Sequence, residues 1–145
     1  MVKRRKSRES ALQYLYQREV VPQGSWKDLA HFKKHFLLNE EDDAFLDRVV
    51  QGVLAHGQEI DQLIERYSEH WRLDRIALID RTLLRIAIFE LLYCEDVPPK
   101  VTLNEAVDLA KQFGSENSGS FVNGILDRIL NEGARKSGQP GSMKS

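Results

Sequence analysis

Apolar residues recur along this chain at intervals of three and four positions. One such stripe lies within residues 7–19, a second within 25–36, and a longer one runs through 39–68. This spacing collects side chains on one face of a helix. No segment has the strict alternation of a half-buried strand. The pattern therefore predicts an all-α fold of six or seven helices.

Local signals predict where several helices begin. Asn39 precedes four acids, which is typical of an N-cap followed by carboxylates at the positive end of the helix dipole. If the helix that follows continued to residue 68, it would be about 45 Å long. Thr102 and Glu105 have the spacing of a capping box. A nearly all-apolar helix over 76–94 is expected at the centre of the C-terminal half, and the last helix is expected to begin at Phe121.

The length and composition favour a single domain. The chain has 145 residues, of which 41% are apolar, and a chain of this size can bury a core without a disulfide or metal. We expect one helical domain over 1–130, with halves of about 3–70 and 71–130, and a disordered tail over 131–145. No apolar stretch approaches the roughly 20 residues of a membrane span. The single cysteine, Cys94, favours a reducing cytoplasm.

The formal net charge of −1 conceals an uneven distribution. Five cations lie in the first eight residues, and we call this segment, residues 3–8, the basic arm: Lys3, Arg4, Arg5, Lys6 and Arg8. The other residues comprise 16 basic and 22 acidic side chains, a net charge of −6. A basic arm on an acidic body favours an anionic partner such as a nucleic acid. A solvated terminus and a nuclear-import patch are the alternatives.

No motif for catalysis, metal binding or nucleotide binding is evident in the sequence. His31 and His35 have the i, i+4 spacing of helical metal ligands, but neither an H-E-x-x-H pattern nor a cysteine accompanies them. Both glycine-rich phosphate-binding motifs are missing. Cys94 follows an apolar helix and has no adjacent histidine, which favours a buried structural thiol. We therefore expect a binding protein and not an enzyme, with no catalytic residue, metal or cofactor.

Aromatic side chains near the cations could add base stacking to phosphate contacts. The candidates are Tyr14, Tyr16 and Phe121. Tyr16 lies on the apolar stripe of its helix, which favours a place in the core. Phe121 follows a polar loop, so stacking on RNA and packing in the core both stay open.

Four segments carry a further pattern in their order and spacing. They are KRRKSRESALQYLY (3–16), DRTLLRIAIFELL (80–92), DVPPKVTLNEAVDLAKQFG (96–114) and FVNGILDRI (121–129). Together they resemble the NusB family of bacterial transcription antitermination factors over about residues 3–130. The resemblance implies an all-helical fold in two halves.

The resemblance also implies partners and contact residues. Members bind the single-stranded boxA element of ribosomal RNA leaders together with the ribosomal protein NusE, and they join other Nus factors on RNA polymerase. The implied RNA contacts are Arg4, Arg5, Lys6, Arg8, Asn117, Ser118 and Phe121. The family often has an acid where Asn117 stands, and losing that charge should favour RNA binding. Asp80 matches an acidic position implied for NusE binding.

Two other interpretations remain open. The N-terminal domain of certain ribosomal-RNA cytosine methyltransferases has a similar fold, although this sequence carries no catalytic cysteine motif and a stand-alone factor is expected. A helical scaffold or homodimer would leave the basic arm unexplained, yet some helical faces could pair with a second copy.

Overall fold

A computed structural model describes residues 4–21, 29–34, 36, 38–69 and 71–132. These residues form seven α-helices and one short 3-10 helix, with no strand among them, which confirms the all-α prediction. The helices are α1 (Arg5–Val20), α2 (Leu29–Lys33), α3 (Glu40–Ala55), α4 (Gly57–Tyr67), α5 (Leu78–Tyr93), α6 (Pro99–Phe113) and α7 (Ser118–Asn131), and the 3-10 helix is Leu73–Arg75. Within the described ranges, no helix has the length and apolar character needed to cross a membrane.

Helix α5 lies at the centre of the fold, as its apolar sequence predicted. It contacts α1, α3, α4, α6 and α7, and Leu84, Ile88 and Leu91 are among its fully buried residues. Gly52 of α3 lies against the ring of Phe89 on α5, where a β-carbon would clash. The described apolar side chains form one continuous core. Packing against α5 therefore positions the other helices.

The helix that begins after Asn39 does not continue to residue 68. Asn39 does cap α3, since its Oδ1 accepts a hydrogen bond from the Asp42 amide at 2.7 Å. The helix ends at His56, where φ is −110° and ψ is 22°, and α4 begins at once with Gly57. Glycine lowers helix propensity at this point. The break allows α4 to pack on both α5 and α7.

The predicted capping box of α6 is also wrong. Pro98 is extended and Pro99 takes the first helical position, where a proline lacks only a hydrogen bond that the helix would not make. Thr102 and Glu105 consequently lie inside the helix, and both are buried. They face α1 and α5, where they take part in a network of ion pairs.

Two further boundaries differ from expectation. Helix α7 begins at Ser118, before the predicted Phe121, and α1 begins at Arg5. The predicted start of the second helix near residue 25 and most of the tail, from 133 onward, lie outside the described residues. The division into halves near residue 70 stays a prediction, because the core is continuous through the described helices.

Candidate nucleic-acid interface

Arg8 is part of a buried ion pair at the first turns of α1. Its Nε and Nη2 donate to the Glu90 carboxylate at 2.7 and 2.6 Å, and only 3% of its side chain is exposed. The Thr102 hydroxyl donates to Glu90 at 2.9 Å. The two charges therefore satisfy each other inside the fold, with α1, α5 and α6 each supplying one group.

This buried position does not favour a contact between Arg8 and RNA, and the expectation of such a contact stays a prediction. In the helix, Arg8 shares a face with Ala11, Leu12 and Leu15, all of which are buried. A phosphate would have to compete with Glu90 for this guanidinium. The apolar stripe could have revealed this, since Arg8 precedes Ala11 and Leu12 by three and four positions.

Arg4 and Arg5 are also held by carboxylates. Arg5 donates from Nε and Nη2 to Glu105 at 2.6 and 3.0 Å, and the hydrogen bond to Glu105 raises the pKa of Arg5 above its ordinary value. The Arg4 guanidinium lies 4.4 Å from the centre of the Phe45 ring, and its Nη1 is 3.5 Å from Asp96. Both side chains keep partial exposure, at 20% for Arg4 and 37% for Arg5.

Asp96 is held mainly by a different arginine. Arg48 binds its carboxylate at 2.8 and 3.2 Å, and this hydrogen bonding is the main reason that the pKa of Asp96 falls to about 2. Arg4 adds a smaller electrostatic effect in the same direction.

Lys6 is the exposed cation of the described arm. Its side chain faces solvent and makes no ion pair with any described residue. Within its described residues 4–8, the arm therefore offers one free ammonium, one partly exposed guanidinium on Arg5, and two arginines used largely within the fold.

A pocket of about 260 Å³ lies between the segment leading into α5 and the start of α7. Trp71 and Phe121 contribute aromatic walls, and Asn117 and Asp80 contribute polar groups. Trp71 is exposed, whereas Phe121 is half-buried. The structure thus brings together Asp80, expected for a protein partner, and two residues expected for RNA.

Asp80 has an unpaired polar atom in this pocket. The residue is buried, and no described residue forms a hydrogen bond with its Oδ1. An unpaired buried carboxylate oxygen is costly, and native structures seldom keep one without a role. The arrangement is suited to a ligand that brings a hydrogen-bond donor or a positive charge.

Ser118 has a different position from the one expected of an RNA contact. It is buried, and its hydroxyl oxygen accepts a hydrogen bond from the Ser115 amide at 2.9 Å. Its side chain closes the loop before α7 and does not face solvent. Asn117, immediately before it, is exposed. The earlier start of α7 turns Ser118 inward, and an RNA contact by Ser118 stays a prediction.

Sequence reasoning missed two pocket residues and misplaced one aromatic. Trp71 and Arg75 line the pocket. The available signal was a tryptophan among polar residues just before the apolar helix over 76–94. Tyr14, a stacking candidate, is buried edge-on against Phe32.

Cys94 is buried, as predicted. Among the described residues, no three or more potential metal ligands lie together. His35 lies outside the described residues.

Comparison with known proteins identifies the class of protein to which this chain belongs. Among curated proteins, the transcription antitermination protein NusB of Myxococcus xanthus is 48% identical over 87% of this chain and 93% of its own length. That of Syntrophus aciditrophicus is 45% identical over 89% of this chain and 80% of its own. The class is therefore that of transcription antitermination proteins.

A family model described as the NusB family matches residues 5–131. The chain belongs to the NusB family, as its sequence motifs predicted.

Solved structures agree with this assignment. T. maritima NusB is 39% identical with a TM-score of 0.79, and the match covers 89% of this chain and 91% of that one. A crystal structure of the antitermination factors NusB and NusE in complex with double-stranded RNA gives a TM-score of 0.80 at 26% identity. That match covers 90% of this chain and 98% of the other.

Proposed function

We propose that this protein is a transcription antitermination factor that binds boxA-type RNA of ribosomal RNA leaders together with NusE. The observation that carries the proposal is the pocket that joins Asp80, Asn117 and Phe121, because it combines an aromatic wall with an unpaired polar atom. The chain belongs to the NusB family, and this membership supports a role for the pocket in antitermination. The solved complex of NusB and NusE with RNA supports both partners.

The RNA-binding surface has two parts. At the first turn of α1, Lys6 and the exposed side of Arg5 attract phosphates, which adds affinity without sequence preference. At the pocket, Phe121 stacks on a base and Asn117 reaches the same strand. Arg8 and Ser118 act inside the fold, where they position these two parts.

NusE binds beside the pocket through a donor that reaches Asp80. A positively charged or N–H group from the partner would satisfy the unpaired Oδ1, which removes the cost of its burial. RNA and partner then meet at adjacent residues, so each is expected to favour the binding of the other. Coupling of this kind is reciprocal in free energy.

The protein acts by binding and not by catalysis, in the cytoplasm, where nascent ribosomal RNA leaves RNA polymerase. Its curated relatives are named as antitermination proteins. The RNA and NusE complex joins other Nus factors on the polymerase and suppresses premature termination. A −6 body makes the isolated chain a weak RNA binder, and NusE offsets this repulsion by adding RNA-binding surface.

Calorimetric titration tests the proposal directly. Single-stranded boxA-type RNA, a scrambled strand and a duplex are titrated into the protein with and without saturating NusE. We expect weak binding of boxA-type RNA to the protein alone and tighter binding when NusE is present. We also expect RNA to increase NusE affinity by the same factor. Equal RNA affinity in both conditions would contradict the cooperative mechanism.

Asp80→Asn tests the partner contact in the same experiment. The amide keeps the shape of the side chain and removes its charge, so NusE affinity should fall while the fold is retained. Asp127→Asn, at an exposed position of α7 beyond the pocket, is a matched loss of one carboxylate. An unaltered NusE affinity for Asp80→Asn would remove Asp80 from the interface.

A further inference from the structure

Two carboxylates of very different exposure hold the Arg5 guanidinium. Glu105 binds it at 2.6 and 3.0 Å, and only 3% of the Glu105 side chain is exposed. Asp108, one turn further along α6, contacts Nη2 at 3.2 Å and is 53% exposed. The same arginine therefore has one buried partner and one partner at the surface.

The contact with Glu105 fixes the plane of the guanidinium. It engages Nε and Nη2 in a two-point hydrogen bond, which restricts rotation as well as distance. The contacts found for Arg5 involve these two nitrogens, which leaves Nη1 as the donor available to a ligand. A phosphate can therefore bind Arg5 without displacing Glu105, and it meets a guanidinium that is already oriented.

Glu105 is itself firmly placed by the fold. It is buried on α6, and its Oε1 is 3.9 Å from Nη1 of Arg8, the arginine that pairs with Glu90. Glu105 thereby links the partly exposed Arg5 at the start of α1 to the buried ion pair of Arg8 and Glu90. Loss of its charge would free Arg5 to sample other rotamers, at an entropic cost to RNA binding.

Glu105 orients Arg5 for a phosphate, whereas Asp108 opposes the approach of a phosphate to Arg5. It lines a groove of about 370 Å³ with Lys111 and Asn104, next to the Arg5 contact. Because its carboxylate is exposed and lies on the same guanidinium, it repels a phosphate approaching Nη1 and competes for the shared positive charge. Exposed pairs of this kind add little to stability, so the fold does not require Asp108.

We propose that Glu105 is a positioning residue for RNA binding that acts through Arg5, and that Asp108 weakens RNA binding by competing for the same guanidinium. This proposal rests on the proposed function, since it assumes that the first turn of α1 contacts RNA. Its distinguishing feature is that two acids on one arginine have effects of opposite sign.

The test measures RNA affinity of the full chain for Asp108→Asn and Glu105→Gln at about 0.1 M salt, where the screening length is about 10 Å. Asp108→Asn should bind boxA-type RNA about two- to fivefold more tightly, the size expected for an exposed pair. Glu105→Gln should bind about three- to tenfold more weakly, because a glutamine cannot accept both hydrogen bonds. Circular dichroism gives the folded fraction of each variant.

Glu19→Gln is the matched control for charge. Glu19 is also an exposed carboxylate, 48% accessible, and it pairs with Arg85 at 3.5 Å. It lies at the other end of α1, about 21 Å along the helix axis from Arg5. A gain in affinity for Glu19→Gln equal to that of Asp108→Asn would reduce the effect to net charge and overturn the proposal.

A double-mutant cycle separates positioning from simple stabilisation. In an Arg5→Ala background, both Asp108→Asn and Glu105→Gln should lose their effect on RNA affinity, because each acts through Arg5. Effects that persist in that background overturn the proposal. Wild-type protein that binds no boxA-type RNA, alone or with NusE, overturns the proposed function and this proposal with it, whereas normal binding with unchanged variants overturns this proposal alone.

Discussion

Arg5 and Arg8 of α1 and Asp80 in the pocket beside α5 have opposite hydrogen-bonding environments. At α1, Arg5 and Arg8 each bind a carboxylate through two hydrogen bonds. In the pocket, Asp80 is buried with an unpaired oxygen. The region with the highest charge density in the sequence is therefore largely neutralised within the fold, and the region with little charge keeps a free acceptor. A count of charges in the sequence therefore does not show which polar groups are free to bind a partner.

The difference has an energetic consequence. Removing one partner of a buried ion pair leaves an uncompensated charge, whereas replacing both partners by apolar groups is often neutral. Changes to Arg8 or Glu90 should therefore act first on stability. Changes in the pocket should act first on binding, because its groups are not needed to satisfy others in the described fold.

The largest effect is expected for Arg8→Ala. This change strands Glu90 in the interior with Thr102 as its remaining short-range donor, and it should lower the free energy of unfolding by about 3–5 kcal/mol. Denaturant unfolding monitored by circular dichroism measures this loss. Stability within about 0.5 kcal/mol of wild type would mean that the pair contributes nothing and that the contrast between the two regions fails.

A smaller effect, on binding, is expected for Phe121→Ala. Because Phe121 is only half-buried, the change should reduce RNA affinity by about 1–3 kcal/mol and cost less stability than the roughly 3–5 kcal/mol of a core phenylalanine. RNA titrations are compared with thermal melts. Phe113→Ala is the control, since Phe113 is a partly exposed phenylalanine at the end of α6. A large stability loss with normal RNA binding by the folded fraction would assign Phe121 to the core.

The smallest effect concerns the pH dependence that Asp96 confers. Its pKa falls from 3.8 to about 2 in the fold, chiefly through hydrogen bonds from Arg48. A depressed carboxyl pKa stabilises the fold fully above pH 3.8, and this stability disappears as the pH falls towards 2. Since Asp96 is half exposed, the contribution should stay below about 1 kcal/mol.

Thermal melts between pH 5 and pH 2 test this expectation. Wild type should lose more stability over this range than Asp96→Asn, so the two curves should converge in acid. Parallel curves would show that the Arg48 and Asp96 pair contributes no pH-dependent stability.

Helix type and the central place of α5 could be predicted from the sequence because both follow from apolar periodicity. The break at His56 could not, because it depends on how α4 packs against α5 and α7. The capping box at Thr102 was misleading, since Pro99 offers an earlier helix start and burial gives Thr102 and Glu105 other partners. Local signals alone do not decide between two such starts.

The candidate site was predicted less completely than the fold. The motifs indicated Phe121 and Asp80, yet their shared pocket depends on the approach of α7 to the segment before α5. The arm was overestimated because a count of cations takes no account of their partners. Glu90 and Glu105 lie 82 and 100 residues from the arginines that they bind, a separation at which the sequence gives no local signal.

The salt dependence of RNA binding tests the central claim most directly. The claim is that Lys6 meets the RNA phosphates and that Arg8 serves the fold. Lys6→Ala is compared with a protein in which Arg8→Met and Glu90→Met are combined, which leaves the net charge unchanged. Lys6→Ala should reduce the slope of log affinity against log salt by about 0.7 with an unchanged melting temperature, and the paired replacement should keep the wild-type slope. A wild-type slope for Lys6→Ala together with a reduced slope for the paired replacement would contradict the account.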